Sequence, residues 1–213
     1  MTLIEAIKSG SVENAKQAIS ISPGEVSTKD ENGLSPILLA AYYQQREILR
    51  LILEKRTDLD IFEASATGDI DRVFELVEQD PALLDTISAD GFQPLGLACF
   101  FGHLKVVGYL VRKGASINSP SQNAMAVAPL HSAVSSQSEE VVALLLKHGA
   151  NANLAQQKGI RPIHQAAHAG NANITELLLA YGADIQAETD DGKTALAFAK
   201  EGEHKHLYDL LTK

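Results

Sequence analysis

A recurring pattern, Gly-x-x-Pro-apolar-x-x-Ala, constrains the fold of this chain more than any other feature of its sequence. Its proline position is held by Pro36, Pro94, Pro129 and Pro162 and then by Ala195, so the last three steps are 35, 33 and 33 residues. Self-similarity at a period of this length indicates a solenoid of stacked supersecondary units. Such units must stack, because a single unit cannot bury its apolar face alone.

Each complete unit predicts two helices. Proline after the turn glycine suits the first position of a short helix. A second, apolar-periodic helix follows and ends in Gly-Ala at Gly114, Gly149 and Gly182, which fits the left-handed glycine cap of a helix C-terminus. The sequence therefore predicts an all-α solenoid of about seven helix–turn–helix units with short β-hairpin loops, in one domain. The predicted units span approximately residues 1–29, 30–57, 58–87, 88–120, 121–155, 156–188 and 189–213.

A second level of order lies in the N-terminal half. Residues 1–58 align with residues 59–116 at a constant offset of 58, which pairs Pro23 with Pro81. At the junction of the two blocks the repeat shortens to 24 residues, and residues 55–58 lead almost directly into the next helix. We therefore expect one hairpin to be missing from the row at this junction.

These motifs resemble the ankyrin repeat. The specific matches are PLH and PIH at the start of first helices, FGH in a turn, and HGANAN and YGADI after second helices. Leu38, Gly96 and Ala195 depart from the family pattern, which has histidine at the first two positions and proline at the third. The resemblance covers nearly the whole chain, and the duplicated block is similar in style to stand-alone bacterial ankyrin proteins. It implies a non-catalytic module that binds a partner protein through the concave face of the array.

The resemblance also implies where a partner binds, because ankyrin contacts come from the hairpins and from the last residues of the first helices. The chain has five tyrosines, six phenylalanines and no tryptophan, and five of these eleven rings fall in such positions. Exposed apolar clusters mark interaction sites, and aromatic side chains are common anchors. The predicted partner-binding residues are Leu34, Tyr42, Tyr43, Asp90, Phe92, Phe100, Phe101, Ile160 and His168.

The alternative reading of the paired rings is that they belong to the core. We expect at least one ring of Tyr42 and Tyr43, and one of Phe100 and Phe101, to be buried between repeats. The remaining rings form the predicted patch, with an acidic rim at Asp30, Glu31 and Asp90. This combination suits a protein partner with an apolar anchor and basic flanks, and the missing hairpin would widen the groove beside it.

Composition excludes several classes of partner. The net charge is −9, which argues against nucleic acid and anionic membranes, since both need clustered basic residues. Cys99 is the single cysteine, so no internal disulfide framework is possible. The first ten residues contain no basic region followed by an apolar run, and no segment has the ~20 apolar residues that a membrane span needs. We expect a cytoplasmic monomer.

No catalytic or cofactor chemistry is predicted. His164 and His168 lie four residues apart, as zinc ligands can, but the residues between them include no glutamate and no third ligand is evident. Gly192–Thr194 resembles the end of a phosphate-binding loop but lacks its first glycine, since position 187 is Ala187. The alternative function is that of a secreted effector, or of a regulator or inhibitor subunit, whose array targets a host or cognate protein. The longer loop 119–128 is either a contact loop or a tolerated insertion.

Overall fold

A computed structural model describes residues 1–212 and contains thirteen α-helices over that range. Each helix is one half of a short helix pair, except for the last, which a 3₁₀ turn follows. The helices are α1 (Leu3–Ser9), α2 (Val12–Ile21), α3 (Pro36–Tyr42), α4 (Arg46–Leu53), α5 (Ile61–Thr67), α6 (Ile70–Gln79), α7 (Pro94–Phe100), α8 (Leu104–Arg112), α9 (Pro129–Ser135), α10 (Glu139–Lys147), α11 (Pro162–His168), α12 (Ala172–Ala180) and α13 (Ala195–Glu201).

The helices form two layers. The odd-numbered helices pack on one another in chain order, from α1 through α13, and each of the first six also packs on the even-numbered helix that follows it. We call the surface of the odd-numbered layer the first-helix face and that of the even-numbered layer the second-helix face. One continuous apolar core runs between the layers and includes Leu3 at one end and Leu207 at the other. The predicted all-α repeat solenoid is confirmed, while the number of repeats and their boundaries stay predictions.

Tight turns occupy the hairpin positions, and no strand is formed between residues 1 and 212. In one of them the Ser88 amide donates to the Phe92 carbonyl at 2.9 Å, and the Gly91 amide donates to the Ser88 carbonyl at 3.0 Å. Gly91 has φ +88°, which a residue with a Cβ adopts only under strain. The Gln122 amide then donates to the Gly91 carbonyl at 2.7 Å, so backbone hydrogen bonds tie this hairpin to the next one.

The duplication seen in the sequence is also present in the helices. Adding 58 to the bounds of α1, α2 and α3 gives the bounds of α5, α6 and α7 without any shift. The two blocks meet at residues 54–60, which connect α4 to α5. By contrast, residues 22–35 connect α2 to α3, and residues 80–93 connect α6 to α7. The short junction therefore has no room for the hairpin turn that the other connections carry, as its length predicts.

A buried ion pair closes this junction. Glu63, in the first turn of α5, has a side chain that is only 1% exposed. Arg56 donates to both of its carboxylate oxygens, through Nη1 at 2.7 Å and Nη2 at 2.9 Å. The backbone amide of Asp60 adds a third hydrogen bond to Glu63 at 3.0 Å. A bidentate pair of this type fixes the position of the arginine and thereby anchors the connecting segment on α5.

Candidate functional site

Four first helices end side by side on the first-helix face and enclose a groove of about 520 Å³. These helices are α3, α5, α7 and α9, and the start of α4 closes one side. We call this feature the aromatic groove. Its lining consists of Ala40, Ala41, Tyr42, Gln44, Arg46, Leu49, Ala66, Thr67, Phe100, Phe101, His103, Ser135 and Ser136.

The groove exists because side-chain size alternates along the row of helix ends. Ala66 and Thr67 at the end of α5 are small and lie between the aromatic ends of α3 and α7. The Tyr42 ring reaches across this gap, with its centroid 5.4 Å from that of Phe101 and 5.8 Å from that of Phe100. Phe100 and Phe101 meet edge to face at 5.1 Å. Such contacts favour one arrangement of the rings, so the groove has a defined wall.

Beneath the rings lies a small apolar cluster that is separate from the main core. Leu38, Ala66 and Leu97 are its buried members. Partly buried side chains cover it, and they include four of the predicted partner-binding residues. These covering residues are Leu34, Tyr42, Phe62, Phe92 and Phe101. The cluster therefore gives the first-helix face an apolar packing layer of its own, which extends from α3 in the first block to α5 and α7 in the second.

Asp90 fixes the orientation of Tyr42. The tyrosine hydroxyl donates to one Asp90 carboxylate oxygen at 2.5 Å, and the Ser88 hydroxyl donates to the other at 2.5 Å. Burial raises the pKa of Tyr42 well above its usual value, and the hydrogen bond to Asp90 and the charge of that carboxylate raise it further. The ring is therefore a neutral hydrogen-bond donor at physiological pH. Asp90 serves as an internal acceptor as well as part of the predicted acidic rim.

One ring of each aromatic pair is packed and the other is exposed. Tyr42 and Phe101 are half-buried over the small cluster, as the core alternative for these pairs predicts. Tyr43 is 45% exposed and Phe100 is 40% exposed. Both exposures are high for rings of this size in a folded chain. Phe100 lines the aromatic groove, so it is the exposed ring best placed to contact a partner.

Of the nine predicted residues, only Tyr42, Phe100 and Phe101 line the aromatic groove. Leu34 and Phe92 pack on the small cluster, and Asp90 accepts the Tyr42 hydroxyl, but these three do not line the groove.

The other three predicted residues lie elsewhere. Tyr43 lies just beyond α3 and outside the lining. Ile160 is half-buried, and its carbonyl accepts a hydrogen bond from His131 Nε2 at 3.2 Å. His168 is exposed near the C-terminal end, where its ring centroid is 6.1 Å from that of Phe198. The nine predicted residues therefore do not form one patch, and their contact with a partner stays a prediction.

Sequence reasoning also missed residues that build the site. Phe62 on α5 covers the small cluster, and Arg46 and His103 line the groove. The offset of 58 residues offered a signal for Phe62, since its counterpart Ile4 is also partly buried against the core. No sequence signal distinguished Arg46 from the other exposed cations. Its place in the lining depends on the turn that starts α4.

A match to a family model decides which family this fold represents. The model for ankyrin repeats, which contains three copies of the repeat, matches residues 61–156 and 130–213. The chain belongs to the ankyrin repeat family. Ankyrin repeats indicate a protein–protein interaction module, and the family is generally non-catalytic.

Similar proteins come from fungi, bacteria and animals. The chain is 31% identical to ankyrin repeat protein nuc-2 of Neurospora crassa over 75% of its own length, but it spans only 16% of that protein. It is 27% identical to the putative ankyrin repeat protein YahD of Escherichia coli, over 72% of its own length and 82% of the relative. It is 35% identical to protein phosphatase 1 regulatory subunit 27 of the mouse, over 56% of its own length and 79% of the relative.

The histidines of this ankyrin array link neighbouring repeats. His164 Nε2 donates to the Ala187 carbonyl at 2.9 Å, while its Nδ1 accepts from the Arg161 amide at 3.0 Å. His204 and His206 donate to the carbonyls of His168 and Gly170, each at 3.0 Å. Burial lowers the pKa of His164 below its usual value. His164 therefore acts as a neutral connector between turns, and the three rings together link backbone carbonyls of neighbouring repeats.

Metal binding, thiol chemistry and membrane insertion find little support in the described residues. Between residues 1 and 212, no three His, Cys, Asp or Glu side chains come together as a metal-binding group. Cys99 is fully buried, and burial raises the pKa of its thiol far above the usual range, so the reactive thiolate is strongly disfavoured. None of the helices in the described part of the chain has both the length and the apolar character to cross a membrane.

Proposed function

We propose that this ankyrin repeat protein binds one partner protein through the aromatic groove, on the face that is concave in the ankyrin family. The observation that carries the proposal is the exposure of Phe100 at the edge of a groove with packed aromatic walls. A ring held in place by its neighbours loses little conformational entropy on binding, which favours it as an anchor. The small side chains of Ala66 and Thr67 leave space between the walls for an apolar side chain of the partner.

The charges around the groove indicate how a bound partner is oriented. Asp30, Glu31 and Asp90 lie on its hairpin side, whereas Arg46 lines the groove at the start of α4. We infer that basic residues of the partner point toward the hairpins. The net charge of −9 favours encounter with a basic surface at low ionic strength. We propose a cytoplasmic location and a monomeric state for the protein.

Capture of the partner with a panel of variants tests this proposal. Phe100→Ser removes the exposed anchor, and Ser135→Trp fills the groove from the exposed end of α9. Tyr181→Ser is the matched control, because Tyr181 is 49% exposed and follows α12 on the second-helix face. A protein captured by the wild type and the control, but lost with both groove variants, supports the proposal. Retention by both groove variants contradicts it.

A regulatory role is a second candidate. A mouse relative that the chain matches over 79% of its length is named a regulatory subunit of protein phosphatase 1. We propose on this basis that the partner is an enzyme whose activity changes when the ankyrin array binds it. The captured protein is assayed with and without a stoichiometric amount of the array. An unchanged activity contradicts the regulatory role and leaves the binding function intact.

A further inference from the structure

A second groove lies on the opposite side of the molecule, on the second-helix face between α6, α8 and α10. Its volume is about 500 Å³. We call it the convex groove, after the position of this face in ankyrin arrays. Its lining combines exposed apolar side chains, a glycine and two cations. The residues that carry the argument are Phe74, Leu104, Lys105, Gly108, Tyr109 and Arg112.

The apolar side chains of the convex groove are exposed to solvent. Phe74 is 53% exposed, and its ring centroid is 5.7 Å from that of Tyr109. Leu104 is 39% exposed on the next helix. Gly108 forms the floor, and a Cβ at this position would lie 3.3 Å from Arg112 Nη1 and 3.5 Å from Leu144 Cδ1, so the Arg112 guanidinium lies at the edge of the floor. The absence of a side chain there leaves a depression beside the exposed ring, and adjacent exposed apolar groups of this kind mark interaction sites.

The duplication supplies an internal comparison for this surface. The offset of 58 residues pairs Phe74 with Lys16, Leu104 with Arg46, and Gly108 with Arg50. The same positions thus carry three basic side chains in the first block and none in the second. Phe74 and Leu104 are exposed, as are Lys16 and Arg46, so packing of the core does not explain the difference at these two pairs.

The charges beside the groove are also reversed between the blocks. Lys105 and Arg112 stand where the first block has Glu47 and Glu54. Within residues 1–212, neither cation forms an ion pair with a carboxylate, whereas the neighbouring Lys113 pairs with Glu78. The lining includes one carboxylate, that of Asp71 at the start of α6. Lys105 in the first turn of α8 and Arg112 at its end therefore offer unpaired positive charge next to an apolar depression, on a chain whose net charge is −9.

We propose that the convex groove binds an acidic segment of a partner protein. An aromatic or large aliphatic side chain of that segment fits between Phe74 and Leu104, beside the Arg112 guanidinium that borders Gly108. Its carboxylates pair with Lys105 and Arg112. Apolar contact supplies most of the affinity, and the charge pairs select acidic over basic segments. The site does not depend on the aromatic groove, whose proposed partner carries basic residues, so the two faces are expected to recognise different segments.

Selection from a random 12-residue peptide library displayed on phage tests the proposal. The full chain is the target. Before selection, phage that bind a Phe74→Lys/Leu104→Arg variant are removed from the library, so that the remaining binders depend on the convex groove. Both substitutions introduce the residues that the first block already has at these positions, so we expect a native helical circular dichroism spectrum. Enriched peptides should combine an aromatic or large aliphatic residue with neighbouring Asp or Glu. A synthetic version should bind at least tenfold more weakly to this variant.

A second variant separates charge from apolar contact. Lys105→Glu/Arg112→Glu restores the charges of the first block and keeps the apolar groove. This variant should bind the acidic peptide at least tenfold more weakly than the wild type does. The affinity of the wild type for the peptide should fall as the salt concentration rises. Phe100→Ser, on the other face, should not change the binding. Enriched peptides that are basic or uncharged, or a depleted library from which no peptide is enriched, would overturn the proposal without affecting the aromatic groove.

Discussion

The ion pair at the block junction gives the sharpest test of the fold, because the duplication provides a matched control. Glu63 is 1% exposed and receives two hydrogen bonds from Arg56, whose side chain is 13% exposed. Breaking a buried pair by removal of one partner costs about 3–5 kcal/mol, because the other charge stays buried without compensation. Arg56 Nε also contacts Asp58 Oδ1 at 3.2 Å, but Asp58 is 81% exposed, and we expect this contact to contribute little, as exposed pairs do. We therefore predict that Arg56→Met destabilises the chain by about 3–5 kcal/mol.

Glutamine substitutions separate the ion pair from the helix cap. Glu63 and Glu5 stand at equivalent positions, and each accepts the backbone amide of its own N-cap residue, Asp60 at 3.0 Å and Thr2 at 2.8 Å. Glutamine preserves this capping bond, since the capping box accepts either residue. Glu63→Gln should therefore lose most of the pair's contribution. Glu5→Gln, at an exposed position without an arginine partner, should change the free energy of unfolding by less than about 0.5 kcal/mol.

Urea unfolding followed by far-UV circular dichroism measures these free energies. For a chain of this size the predicted loss corresponds to a fall of about 6–20 °C in the melting temperature. The Arg56→Met/Glu63→Gln variant completes a double-mutant cycle and gives the coupling between the two side chains. The reasoning fails if Arg56→Met lies within about 0.5 kcal/mol of the wild type, because the pair would then contribute no more than an exposed one.

Three further predictions follow from other parts of the array. Burial lowers the pKa of His131 to about 4, so below the unfolded value of about 6.5 the unfolded chain binds a proton that the folded chain does not. The free energy of unfolding, measured by urea titration, should therefore fall by about 3 kcal/mol between pH 6.5 and 4, and this part of the slope should be absent in His131→Asn. Phe101→Ser should cost about 1–3 kcal/mol in the same assay because its ring covers the small cluster, whereas Tyr43→Ser, 45% exposed, should cost less than about 0.5 kcal/mol. Leu145→Ala, at a position with no exposure, should cost about 2–5 kcal/mol, and equal stability would show that the site can collapse without a cavity.

The architecture could be predicted from the sequence because it depends on local periodic signals. The spacing of prolines sets the starts of α3, α7, α9 and α11, and the Gly-Ala endings mark the turns after second helices. The short junction could be predicted for the same reason, since the number of residues available limits what a connection can form. These signals do not require knowledge of which side chains meet across repeats.

The site could be predicted only in part because it depends on contacts between helices that are distant in sequence. The pattern assigned Tyr42 and Tyr43 to the same surface, but only the packed structure shows that Tyr42 leans over α5 toward Phe101. This position of the Tyr42 ring requires a small side chain at Ala66. The sequence alone does not show that Ala66 lies beneath the ring. Asp90 is predicted from the sequence as part of an acidic rim that contacts a partner, and the sequence does not indicate that it also accepts the Tyr42 hydroxyl.

Comparison of equivalent positions in the two duplicated blocks shows which residue differences between them call for a functional explanation. Their core positions keep the same character, as in the pairs Ile37 and Leu95 or Ile52 and Leu110, because a change of size or polarity inside a packed layer is costly. Surface positions carry no such cost and are free to diverge, but random divergence at the surface favours polar residues, which water solvates. The replacement of Lys16 by Phe74 exposes a ring to solvent and contributes nothing to the core. A contact outside the chain is the physical benefit that would offset that exposure, and it places a binding surface on the second-helix face of the second block.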